Sequence, residues 1–177
     1  MHRMDDNMPF LLRYENVAWY DSGKVRILDR RAFPEVHFVE CSTYREVRQA
    51  VADMVTQSTG PYAAVAMGMV LAAKQSENLG VGEREAFLRL AADELAHARP
   101  TTSNRYALIT GKCLEAGLYA LKAGRDPVSD TFDCALETMN ERYGRMQLVG
   151  DELLKLIPEG GTILTQCYGE TIIGTLI

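Results

Sequence analysis

The stretch GTILTQCYGE, Gly161 to Glu170, is a short apolar run that stops at a cysteine and turns into a glycine and a carboxylate. A β-branched run of that length suits a buried parallel strand. A cysteine at the C-terminal end of such a strand, just before a helix, stands where open α/β sheets bind ligands. The following backbone N–H groups and the positive helix end favour an anion and lower the pKa of a thiol. Cys167 is therefore a candidate acid/base group or nucleophile, and the competing reading is a small buried apolar side chain. Glu170 works against a simple anion hole, because a carboxylate in the first turn competes for the same N–H groups.

HARPTTSN, His97 to Asn104, ends one helix and begins another. Pro100 suits a first helical turn, Thr101 or Thr102 can cap it, and Arg99 stands just before that N-terminus with a planar guanidinium suited to phosphate. A surface ion pair or a helix C-terminal charge is the alternative role for Arg99. The four cysteines, Cys41, Cys113, Cys134 and Cys167, are widely spaced, with no CxxC pair and no histidine partners at zinc-finger intervals. They read as reduced thiols. The three histidines share no metal-ligand spacing, so no metal site is expected.

The chain has 177 residues, 47% of them hydrophobic, enough for one ordinary core or a core plus part of a second. Its 19 basic and 24 acidic residues give a net charge of −5 without a long basic block, which argues against nucleic acid as a partner. Tyr62–Ala73 is shorter than the roughly 20 apolar residues a membrane helix needs, and MHRMDDNMPF lacks the apolar region of a secretory signal. No membrane partner is expected, and the cytoplasm is the default location.

Stepping along the chain, FLLRYENVAWYDSGKVRILDR places two alternating apolar runs around Asp21-Ser22-Gly23, the composition of a hairpin. VHFVEC reads as a third strand. Ser42 or Thr43 then caps a helix in which Val47, Val51 and Met54 recur at helical spacing. Helices are expected near 43–57, 61–74, 83–97, 101–123 and 129–156, separated by Gly-, Pro- and Asn-containing breaks. The Met-rich YAAVAMGMVLAA reads as a tightly packed core helix rather than a cofactor box. Pro158-Glu159-Gly160-Gly161 is the clearest compositional break. The expected fold is thus an α+β domain over 1–157, a small antiparallel sheet plus a helical bundle, followed over 158–177 by the first strand and helix start of a Rossmann-like α/β domain. One strand cannot close an α/β layer. The preferred reading is the front part of a longer protein, with a short protein or a half completed by a partner chain as alternatives.

Taken together, the hairpin, the Gly-Pro-started Ala-rich helix, Ala98-Arg99-Pro100-Thr101 with Asn104, the long helix and PEGGTILTQC resemble the N-terminal half of the methylthioribose-1-phosphate isomerases. These share a fold with regulatory subunits of translation initiation factor 2B and with archaeal ribose-1,5-bisphosphate isomerase. The resemblance runs from about Leu11 onward. Thr165-Gln166-Cys167 keeps the family's catalytic cysteine, whereas Ser58-Thr59-Gly60-Pro61 puts Ser58 where a phosphate-binding arginine is expected. Tyr168-Gly169-Glu170 also replaces the small neutral turn that usually follows the cysteine. The resemblance implies an aldose-ketose isomerase of methionine salvage acting on a phosphorylated pentose, with Cys167 catalytic, Arg99 holding phosphate and the backbone at Gly60 packing on substrate. It implies no metal and no organic cofactor. It places the family's catalytic aspartate beyond residue 177, so these residues alone are expected to be inactive. A homodimer is expected, with Thr171–Ile177 fraying or recruiting a second copy. The alternative is a noncatalytic regulatory or nucleotide-sensing protein of the initiation factor 2B type.

Overall fold

The structure, a computed structural model, describes residues 3–165 and 168–176. Asp21 faces Lys24 across a two-residue loop in which Ser22 and Gly23 both have positive φ (48° and 82°), so the turn twists with its strands. It joins β1 (Ala18–Asp21) to β2 (Lys24–Leu28), and β3 (Phe38–Cys41) pairs on the other side, giving an antiparallel sheet of order β1-β2-β3. Ala18, Val25, Ile27 and Cys41 are buried.

The run before β1 is not strand, contrary to its apolar alternation. Phe10–Leu12 forms a 3-10 turn and Tyr14–Val17 a single helical turn, α1. The reason is local: the buried Asp5 carboxylate accepts the Tyr14 N–H at 2.6 Å and satisfies the helix start.

α2 (Tyr44–Ala52) opens on a reciprocal cap, Glu46 N–H donating to Thr43 Oγ1 and Thr43 N–H to the Glu46 carboxylate. It stops well short of residue 57, because Met54 takes φ 60° and Val55 N–H turns back to the Ala50 carbonyl. Met54 accordingly lies outside the helix.

Four long helices follow: α3 (Gly60–Gln75), α4 (Val81–Ala96), α5 (Ser103–Lys122) and α6 (Pro127–Leu154). Short connections force each to run back along its predecessor. The Lys112–Glu141 ion pair (3.1 Å) and the packing of Gly117 against Thr131 fix the antiparallel register of α5 and α6. α3 sits at the centre, buried on every face, and packs against the sheet and against α2, α4, α5 and α6. Its middle, residues 63–73, needs no polar side because it has no solvent side.

Residues 161–165 form no strand, and Leu164 is 97% exposed. The expected buried strand over Thr162–Cys167 is not formed in the described residues. A strand is held by neighbours that take its N–H and C=O groups, and β1–β3 lie in another sheet. The helix expected after Gly169 is present as α7 (Glu170–Thr175), packed on α6 with Met8 and Met146 closing on Gly174. Among the described residues no helix is long and apolar enough to cross a membrane.

Candidate functional site

The succession of antiparallel helices carries the α3 N-terminus, the α4–α5 turn and the second half of α6 to one end of the bundle. There the segment Thr56–Gly60 forms one wall of a narrow crevice. Its conformation is set by two special positions. Ser58 sits at φ 57°, and Gly60 approaches Thr56 so closely that a Cβ would lie 1.7 Å from Thr56 Oγ1. Only glycine fits at residue 60.

The opposite walls bring Arg30, Leu12, Tyr143 of α6 and Tyr168 to the same crevice. Arg30 comes from the turn after β2, where its N–H donates to the Val55 carbonyl at 2.7 Å and ties that turn to the 55–60 segment. Tyr143 is fixed by donating its phenol O–H to the Leu12 carbonyl at 2.6 Å and by an edge-on contact with Tyr14 (centroids 4.9 Å). The crevice is tight, with about 10 Å³ of free volume, room for roughly one water.

Cys167 lies outside the described residues, but its neighbour Tyr168 shares a crevice with Gly60. Two expected site segments therefore meet. Arg99 does not line this crevice. It is half-buried in extended conformation before the 3-10 turn Pro100–Thr102, with its carbonyl accepting the Thr102 N–H. Sequence reasoning missed Arg30, whose position in a turn far from any motif carried no signal. Ser58 leaves the expected place of a cation empty of charge, and Arg30 supplies one to the same crevice.

Two threonines of these motif segments share a feature with Tyr44 and Thr131 elsewhere in the fold. Thr59 and Thr102 each have a buried hydroxyl without a hydrogen-bond partner among the described residues.

The described cysteines differ in ionisation. Burial pushes the Cys41 thiol up to about 11. Cys113 and Cys134 face each other across α5 and α6: the Cys113 S–H stabilises the Cys134 thiolate and pulls Cys134 down to about 7, while Cys113 is raised. Among the described cysteines Cys134, half-buried, is the one whose thiolate is favoured, an effect of its α5 neighbour that no spacing in the sequence announces. Among those residues no cluster of His, Cys, Asp and Glu is disposed to hold a metal ion.

No family model matches the chain. It is 29% identical over 145 residues to methylthioribose-1-phosphate isomerase 1 of Pseudothermotoga lettingae, covering 80% of this chain and 41% of that protein. It is 32% identical over 161 residues to the methylthioribose-1-phosphate isomerase of Caldanaerobacter subterraneus, covering 84% and 44%. Among solved structures, the delta subunit of translation initiation factor eIF-2B from A. fulgidus superposes with a TM-score of 0.63 at 27% identity, over 78% of this chain and 41% of that one. The 5-methylthioribose 1-phosphate isomerase of Pyrococcus horikoshii shares the fold, with a TM-score of 0.59 at 22% identity over 81% and 41%. The chain thus spans somewhat over two-fifths of the length of the relatives it matches. Over about four-fifths of its own length it is similar to the methylthioribose-1-phosphate isomerases and to their structural relative, the initiation factor 2B delta subunit.

Proposed function

We propose that this chain supplies part of an aldose-ketose isomerase acting on a phosphorylated pentose of the methylthioribose-1-phosphate type, in methionine salvage and in the cytoplasm. The observation that carries the reading is the meeting of Thr56–Gly60, Arg30 and Tyr168, the residue that follows Cys167 in sequence, in one crevice. In this reading Cys167 moves a proton between the first two sugar carbons, paired with a carboxylate that residues beyond 177 or a partner chain contribute. Arg99 holds the phosphate by charge-assisted hydrogen bonds, and Arg30 offers a second cation in the crevice of Gly60. The Gly60 backbone packs against the sugar at the mouth of the crevice, whose interior has room for about one water.

The chain divides at Pro158–Gly161 in this proposal, with residues 158–177 opening a second α/β layer. The exposure of Leu164 supports the division, since an apolar side chain of a future strand stays exposed until its sheet is built. The layer is completed by further chain, and the whole protein is a homodimer. Isomerase activity requires that completion, so residues 1–177 alone do not turn over.

The test is turnover of methylthioribose-1-phosphate by the longest product of the gene, with Cys167→Ser and Cys134→Ser in parallel. Turnover that falls by about 100-fold or more in Cys167→Ser, with unchanged circular dichroism, supports the reading. Equal losses in both variants would sink the assignment of the thiol. A second reading, a noncatalytic regulatory protein of the initiation factor 2B type, is favoured by Ser58 in place of the motif arginine and by the fold shared with the delta subunit. Ligand binding without turnover in every variant selects it.

A further inference from the structure

Beside the crevice, on the other side of the α3 N-terminus, α5 and α6 enclose an open groove of about 490 Å³. Its walls follow from helical spacing. Arg105, Leu108 and Lys112 recur at intervals of three and four on α5, as do Thr138, Arg142 and Arg145 with their neighbours on α6. Four cationic side chains therefore converge on one groove in a chain whose net charge is −5.

Among the described residues that line the groove one carboxylate, Glu141, faces them, and it is engaged with Lys112 at 3.1 Å. Arg105 and Arg145 form no ion pair among the described residues, and both are exposed to the groove. The Arg142 guanidinium lies over the Tyr62 ring, 5.5 Å from its centroid, at the inner end. Leu108, Met146 and Val149 provide apolar wall. A solvated charged face spreads its ion pairs over both signs, whereas here Arg105 and Arg145 stand beside a single described carboxylate that Lys112 already engages.

We propose that this groove binds a small phosphate-bearing ligand, its anionic end held by Arg105 and Arg145 and its carbon body laid against Tyr62 and the apolar wall. Planar guanidiniums match phosphate oxygens in pairs, and the volume suits a ligand of sugar-phosphate or nucleotide size. The site goes beyond the isomerase reading. It uses neither Cys167 nor the crevice of Gly60, and it stands if turnover is never found.

The test titrates inorganic pyrophosphate into the 177-residue chain at low ionic strength, by calorimetry and by amide chemical-shift mapping. Saturable one-to-one binding is expected, with shifts along residues 105–112 and 138–149. Arg105→Glu/Arg145→Glu should weaken it by about 100-fold, while Arg89→Glu/Lys122→Glu, the same charge change on other faces, should alter it by less than about 3-fold. Arg105→Gln/Arg145→Gln repeats the measurement without introducing carboxylates, in case the reversed pair disturbs folding. No saturation at millimolar pyrophosphate, undiminished affinity in the Gln pair, or an equal loss in the control pair would overturn the site.

Discussion

Two apolar stretches of this chain have opposite fates. α3 is buried so completely that Ala64, Val65, Ala66, Met67, Met69 and Val70 are all at 0% exposure, whereas Ile163 and Leu164 stand at 45% and 97%. Their compositions would bury either. The difference lies in what surrounds them: α3 is enclosed by four helices and a sheet, and residues 161–165 have no strand beside them. Burial is a property of the partners a segment finds, so the same hydrophobic side chain can anchor one region and cost almost nothing to remove from another.

The sharpest break of that contrast pairs two leucine truncations. Leu95, at 0% exposure, closes on Gly68 of α3. Leu95→Ala is expected to destabilise by about 2–5 kcal/mol, and Leu164→Ala by less than about 0.5 kcal/mol, read by urea denaturation of the same chain. Comparable losses would show that the 161–165 segment is packed in solution.

Gly60→Ala tests the wall of the crevice. The added methyl overlaps Thr56 Oγ1, so a loss of about 1–3 kcal/mol is expected. Because the overlap is with one side chain, Thr56→Ala in the same chain should recover part of it. A neutral Gly60→Ala would mean that the 56–60 segment moves freely and is no fixed wall.

The smallest effect is a gain. Ser58 holds φ 57° with a Cβ, so Ser58→Gly is expected to stabilise or be neutral, within about 1 kcal/mol, by relieving backbone strain against a larger unfolded-state entropy. A loss above that range in the melting curve would assign the Ser58 side chain a structural role that its exposed position does not indicate.

The helices were legible because each carries local instructions: Thr43 and Glu46 for α2, Gly-Pro for α3, Asp126-Pro127 for α6. The hairpin was legible from Asp21-Ser22-Gly23. What periodicity could not supply was competition from outside the segment. Asp5 turned Tyr14–Val17 into a helical turn, and the left-handed Met54 ended α2 early. At Gly60, an expected site residue, the structure supplies a packing reason for the residue type, its close approach to Thr56. Arg30 and the groove cations were illegible, because residues 30, 105 and 145 come together only when the turn after β2 and two antiparallel helices are already folded.

Residues 3–14 strap the sheet end to the long α6. Met4 N–H and the Tyr14 phenol both donate to the Asn140 side-chain oxygen, at 3.1 and 2.9 Å, and Tyr143 donates to Leu12, across sequence separations of 126 to 136. The bundle itself is built from neighbours in sequence, whose loops close at small entropic cost. In kinetic terms the strap is therefore the late event. The bundle collapses first on local contacts, and the strap locks it only after some 130 residues have been ordered. Its bonds then act as a latch on the unfolding rate: removing the Asn140 side chain should speed escape from the native state while leaving the approach to it nearly unchanged, a φ-value near zero in stopped-flow kinetics.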